Sequence, residues 1–336
     1  MLFTRRQGLQ LLAGVAASLA APSIVRAQGA AKTVLGIQNG LPYLNFIIAE
    51  RLGLFKKHAE AVGARTDFEI VRLGGPTALT EAVLSGNVHI AAMGMQPLLI
   101  SWEKTRNNYR MGGISAYWKG TYTIYANDPA IKSIADIRPT DKIAVPGPTS
   151  SQAVILRRAA EKTFGPGNAN RFDQQLVTLP HPDAVAALTT GNTVQVYFAT
   201  SPFAEVLSRA PNVHVIGSSV EFNPKDMTNG VTAGLEQFVS DNPLTIKAFL
   251  AALQEADAFI PNNIEKTAEI YFAAEPSKVS DEQKIEIIRN NAHEYTIIPN
   301  GVIETANFIH ALGQLKAVPA TWQDVFFPPI NQGEGS

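Results

Sequence analysis

One short segment occurs twice in the chain, about a hundred residues apart. The first copy runs Ala82-Val83-Leu84-Ser85-Gly86-Asn87-Val88-His89-Ile90-Ala91, and the second Ala187-Leu188-Thr189-Thr190-Gly191-Asn192-Thr193-Val194-Gln195-Val196. In each, a tail of small and aliphatic residues meets a Gly-Asn stop, and a short β-branched run follows. Glycine after the last periodic residue supplies the left-handed conformation that ends a helix, and alternating Val and Ile beyond it fit a buried strand. Two matched helix-to-strand units predict two similar lobes. A chain built this way commonly places its ligand in the crevice between them, where strand ends and helix starts face each other.

The N-terminus reads as a targeting segment. Arg5-Arg6, an apolar run from Leu11 to Ala21 and Val25-Arg26-Ala27 match a charged region, an apolar core and a small-residue cleavage site, so residues 1–27 are set apart as an export signal peptide. The apolar run is short for a bilayer span. Thr4-Arg5-Arg6-Gln7-Gly8-Leu9 is similar to a twin-arginine signal, although Gly8 stands where a bulky apolar residue is usual; the Sec route stays open. The expected location is periplasmic. About 300 residues remain, enough for a two-lobed domain or two ordinary ones.

The formal net charge is −1 and there is no basic run, which argues against a nucleic-acid partner. Cysteine is absent from the chain, so disulfides, thiolate nucleophiles and cysteine-zinc sites are excluded together. The six histidines are scattered without a metal-ligand spacing, and no G-x-S-x-G, Walker or H-E-x-x-H motif occurs. No metal or other cofactor is implied.

In order, Lys32 to Ile37 reads as a strand, followed by the turn Gln38-Asn39-Gly40 and one helix carrying Ile47, Ile48, Leu52, Leu54 and Phe55. A second strand, Asp67 to Leu73, ends at Gly74-Gly75-Pro76-Thr77, where proline suits a first helical turn and the glycines let backbone N–H groups face a ligand. The first repeat copy follows and leads into Met93 to Pro97. Arg110 to Tyr117 and Thr121 to Ala126 read as strands about a crossing between lobes at Trp118-Lys119-Gly120. Lys142 to Val145 opens a new sheet, and Pro146 to Gln152 starts the helix that carries Val154, Ile155 and Leu156. After the second repeat copy and a strand at Val213 to Ile216, Met227 to Gly234 returns the chain to the first lobe. From Gln237 onward the pattern is helical.

These segments resemble the substrate-binding proteins of ABC importers, in the group that includes nitrate, taurine and alkanesulfonate binders and the related binders of thiamine-pyrimidine precursors. The resemblance is carried by Pro42 with Ala49-Glu50-Arg51-Leu52-Gly53-Leu54-Phe55, by Leu79 to Ala92, by Ile134-Ala135-Asp136-Ile137 through Ser151, by Ala184 to Pro202, and by Asn242-Pro243 with Ala248-Phe249. Together they cover nearly the whole chain beyond the signal. The group usually has Asp after the Gly-x-Val of each repeat; here the residues are His89 and Gln195.

The resemblance implies an α/β, two-lobed periplasmic binding protein fold of type II, with two crossover hinge strands and a helical C-terminal region. Lobe 1 would comprise 32–118 with 222–336, and lobe 2 would comprise 119–221. It implies a binding protein rather than an enzyme, capturing a small organic anion (sulfonate, taurine-like or carboxylate) by hinge closure and delivering it to permease subunits in the inner membrane. A monomer is expected, since no coiled-coil seam is evident. Two other classes stay in view: an enzyme reusing the scaffold through His181-Pro182-Asp183, and a ligand-sensing receptor module.

Five candidate contact segments fall at strand-to-helix turns: Gln38-Asn39, Gly74-Gly75, Met95-Gln96, Thr149-Ser150-Ser151 and Thr200 with Ser201. Free N–H groups at helix starts favour an anion, and the hydroxyls add donors; helix capping by the same Ser and Thr is the plainer alternative. Tyr43, Tyr117, Trp118 and Phe198 are candidates for a flat apolar wall, with Lys119 a possible cation beside them. Asn229 on the returning segment completes the candidate set.

Overall fold

The computed structural model describes residues 31–191, 193–224 and 226–336. The export signal expected at 1–27 and Asn192 of the second repeat copy lie outside them. The first sheet opens with β1 (Ala31–Ile37), whose Leu35 and Ile37 are buried. The single helix expected next is two, α1 (Leu44–Arg51) and α2 (Leu54–Val62). Gly53 between them has φ 68, a left-handed conformation that no continuous helix contains. β2 (Thr66–Arg72), α3 (Pro76–Leu84, with proline in its first turn), β3 (Ile90–Gly94), α4 (Met95–Thr105) and β4 (Met111–Trp118) follow.

The chain then crosses to the second sheet. Its elements are β5 (Thr123–Ala126), β6 (Ile143–Val145), α5 (Ser151–Phe164), β7 (Leu176–Thr178), α6 (His181–Thr190), β8 (Val196–Ala199), α7 (Phe203–Leu207) and β9 (His214–Ser218). It returns through β10 (Gly230–Leu235), and every later element is helical: α8 (Glu236–Asp241), α9 (Pro243–Asn262), α10 (Ile264–Ala274), α11 (Asp281–Asn291) and α12 (Val302–Ala311), with short 3-10 turns. α9 packs on α1 and α2, where Phe55, Phe68 and Phe249 stack with ring centroids 4.7 to 6.2 Å apart.

The strand orders are β2-β1-β3-β10-β4 and β7-β6-β8-β5-β9. They are the same pattern. In each sheet three strands run parallel from the edge, and the fourth position holds the first strand laid down after a crossing, antiparallel to both neighbours. The repeated segment explains the correspondence, because its two copies supply β3 and β8, the third strand of each sheet. Both copies turn on a left-handed glycine, Gly86 at φ 77 and Gly191 at φ 74.

His89 and Gln195 occupy equivalent places and do equivalent work. His89 Nδ1 accepts the amide of Val34 at 2.9 Å, and Gln195 Oε1 accepts the amide of Lys142 at 2.8 Å. Each residue's own amide donates to the carbonyl of that same residue. An acceptor at this point ties the incoming strand to the start of its neighbour, and no negative charge is needed for it. An accepting Nδ1 requires a neutral ring, in keeping with burial, which lowers the pKa of His89. No described helix is long and apolar enough to cross a membrane.

Candidate functional site

The ends of the strands in both sheets meet around one cavity. The first sheet brings Gln38, Pro42 and Tyr43 from the loop after β1, Pro76 from the first turn of α3, Gly94 from the end of β3, and Tyr117 and Trp118 from the end of β4. The second brings Tyr122 before β5, Pro146 after β6, Ser150, Ser151 and Gln152 at the start of α5, His181 at the start of α6, and Thr200 after β8; Asn229 enters on the return crossing. The starts of α3, α4, α5 and α6 thus converge on one space.

That space is tight. Its volume is about 30 Å³, on the scale of a water or two, so a larger guest enters only as the two sets of loops part. They touch directly: a Cβ on Gly75 would lie 2.5 Å from the Pro146 carbonyl oxygen, and one on Gly94 would lie 2.6 Å from Ser151 Oγ. The Leu41 amide donates to the Ser201 carbonyl at 2.8 Å, and Ser151 Oγ donates to the Asn229 carbonyl at 3.0 Å.

The lining is aromatic and carries no formal charge. Tyr43 stacks on Tyr117 with centroids 5.5 Å apart, and Trp118 meets Tyr122 edge-on at 5.3 Å. Burial raises the pKa of all three tyrosines, so they stay neutral hydroxyls. Among the described residues no lysine or arginine lines the cavity. His181 supplies no cation either, because burial pushes its pKa down to about 4. Its Nδ1 pairs with the Tyr197 hydroxyl and its ring stacks on Phe203. Gln38 Nε2 donates to the Tyr43 hydroxyl at 2.9 Å. Gln38 Oε1 and Thr200 Oγ1 are buried without a hydrogen-bond partner among the described residues, which leaves them capacity for a guest.

Of the candidates, Gln38, Tyr43, Tyr117, Trp118, Ser150, Ser151, Thr200 and Asn229 lie on the cavity. Met95 and Gln96 line a smaller space of about 20 Å³ that shares Ser151 and Asn229 with it. Gly74 and Gly75 stand where the two sets of loops meet, against Pro180 and Pro146. Asn39 and Thr149 are half-buried and off the cavity.

Phe198 does not form the wall: on β8 its side chain is fully buried in the sheet's core. Lys119 is exposed and away from the cavity. Ser150 is the N-cap of α5, its Oγ accepting the Ala153 amide at 3.3 Å, so capping and lining are combined in one residue. Pro42, Pro76, Gly94, Tyr122, Pro146 and Gln152 also line the cavity and are not among the candidate contact residues read from the sequence. Gln152 is one residue beyond a flagged helix start, and Tyr122 closes the first crossing just before β5; the prolines mark turns and helix starts but carry no signal of ligand contact. For chemistry through His181, the available partner is the Tyr197 hydroxyl, whose pKa burial raises well above its ordinary value, a poor setting for an activated nucleophile.

A model of the NMT1-like family matches residues 27–273. A search of curated proteins finds no match. Among solved structures, the alkanesulfonate-binding protein SsuA from Xanthomonas axonopodis pv. citri, bound to MOPS, superposes with a TM-score of 0.68 at 16% identity, covering 85% of this chain and 95% of that one. The periplasmic aliphatic sulphonate binding protein SsuA from Escherichia coli gives 0.64 at 18%, covering 88% and 98%. The periplasmic nitrate-binding protein NrtA from Synechocystis PCC 6803 gives 0.59 at 18%, covering 76% and 69%. The likeness is one of fold: two mixed sheets joined by two crossings, the periplasmic binding protein fold.

Proposed function

Because the chain belongs to the NMT1-like family, we propose that it is the exported substrate-binding protein of an ABC importer and captures a small organic anion by closure. The lobes are 32–118 with 222–336, and 119–221. The observation that carries this reading is the convergence of helix starts on a cavity between the sheets. Ser151 and Gln152 are the first two residues of the fourteen-residue α5, and both line the cavity. Their amides have no intrahelical acceptor, and the partial positive charge of a helix start favours an anion there. Tyr43, Tyr117, Trp118 and Tyr122 take the organic part, and Gln38 and Thr200 take its polar atoms. Closure buries the guest between both lobes and presents the closed form to permease subunits.

A second reading has one observation in its favour. A lining with four aromatic side chains and, among the described residues, no cation also fits an uncharged flat ring such as a pyrimidine. Thermal unfolding of the purified protein against alkanesulfonates, taurine, carboxylates, nitrate and pyrimidines separates the two. A ligand at a thousand times its Kd adds about 4 kcal/mol of stability, an upward shift of several degrees. Stabilisation by an anion is the expected result; stabilisation by pyrimidines alone replaces the anion reading, and turnover of any probe overturns the binding-protein reading.

A further inference from the structure

Glu294 follows α11 and lies against the first crossing, behind the cavity wall. Its Oε2 accepts the Trp118 indole N–H at 2.8 Å, and its backbone carbonyl accepts the Lys119 amide at 2.8 Å. The next residue, Tyr295, forms an antiparallel bridge with Trp118. A Cβ on Gly120 would overlap both the Glu294 carboxylate and the Trp118 ring, so this arrangement needs glycine at 120. The indole so held lines the cavity and stands edge-on to Tyr122, which lines it with Ser151 at the start of α5.

We propose that Glu294 is a positioning residue that fixes Trp118 at the cavity wall and whose own change of charge makes anion capture depend on pH. This rests on the anion-capture reading. Burial pushes the Glu294 carboxyl up to about 7, and the Glu205 carboxylate adds to the rise, while the bonds from Trp118 and the Thr121 amide oppose it. The other titratable groups around it are Lys119, exposed on the crossing, the Tyr122 hydroxyl, and His293 and Tyr295 on its own segment. None of them lines the cavity as a cation.

A carboxylate behind one aromatic ring opposes a second negative charge in front of it, because little water lies between to screen the two. Its field reaches the Tyr122 hydroxyl, whose ionisation it disfavours. A neutral carboxyl still accepts the indole N–H and no longer repels the guest. Anion affinity is therefore higher below the Glu294 transition than above it. By reciprocity, anion binding draws a proton onto Glu294.

The test is calorimetric titration of the full chain with butanesulfonate, benzoate and nitrate from pH 6 to 8, in buffers of different ionisation heat. A one-unit coupling weakens binding about fivefold across that range and takes up about half a proton per guest near pH 7.5. Glu294→Gln keeps an oxygen for the indole, so its affinity varies less than about twofold and it takes up no proton. Glu294→Ala loosens the wall and binds more weakly than Glu294→Gln at every pH, because only Gln keeps an acceptor for the indole.

A flat wild-type profile, or an unchanged slope in Glu294→Gln, overturns the proposal and leaves the transport reading standing. If none of the three probes binds, the anion reading falls instead. Tryptophan fluorescence of the ligand-free protein then decides the Glu294 claim alone. A transition near 7 that both Glu294→Gln and Trp118→Phe abolish supports it, and its absence from the wild type overturns it.

Discussion

Asp257 on α9 shows how one side chain beneath the site carries a cost set by pH. Its Oδ1 accepts Asn45 Nδ2 at 2.9 Å, and the same amide donates to the Tyr117 carbonyl at 3.2 Å, so Asp257 helps to hold the end of β4 under the cavity. Burial pushes its pKa up to about 7, against an ordinary value of 3.8. The folded state therefore holds a proton that the unfolded state releases. Stability contributed by this residue is complete below the ordinary value and is lost as pH rises through about 7. Asp257→Asn keeps an oxygen for Asn45 and cannot ionise. Above pH 7 it should be the more stable protein, by up to about 4 kcal/mol, with the gap narrowing as pH falls from 7 and closing only below the ordinary value of 3.8. Urea midpoints measured from pH 5 to 8 check this, and parallel curves for the two proteins refute it.

At the scale of elements, the point where the sequence misleads is also testable. The apolar spacing from Ile47 to Phe55 reads as one helix, yet Gly53 at φ 68 divides it, and nothing lies within 4 Å of the Cβ that an alanine would add there. Gly53→Ala therefore has no steric excuse, and its whole effect is the left-handed backbone, about 1 to 2 kcal/mol. A lower urea midpoint with an unchanged m-value is the expected outcome; no change would mean that the break is not enforced by conformation. Most of the remaining order is legible because its punctuation is local: Pro76 in a first turn, Gly86 and Gly191 after helices, a Ser cap at 150; the three-residue strand β7 and the five-residue helix α7 are too short to show a period and are missed. The strand order of each sheet is not local and is reached only through the repeat and the family resemblance. Half of the candidate site is legible for the same reason, since helix starts announce themselves. Phe198 and Tyr122 are not separable in sequence, because both are aromatics near strand ends; only the sheet geometry sends one into the core and the other to the cavity.

Over the whole molecule, one ion pair among the described residues joins the outer elements of the two sheets. Arg158 on α5 meets Glu304 on α12 through both pairs of atoms, Nη1 to Oε1 at 2.6 Å and Nη2 to Oε2 at 2.8 Å, with its guanidinium over the Phe308 ring at 4.4 Å. The Arg158 side chain is 8% exposed and that of Glu304 is 43% exposed, so the arginine is the member that depends on its partner. On the proposed closure mechanism, separation of the lobes about the crossings must break this pair, while the helices on either side remain intact. Glu304→Gln leaves the arginine enclosed without a counter-charge and so favours the open form, where water reaches it. Apparent affinity falls by the fraction of molecules that remain able to close. The expected loss is about tenfold, or ~1.4 kcal/mol, with a larger radius of gyration in solution scattering that contracts when guest is added. Arg158→Met, which fills the same space without a charge, should recover part of that affinity. Equal affinity and equal scattering in wild type and Glu304→Gln would show that the pair decorates the closed form without holding it.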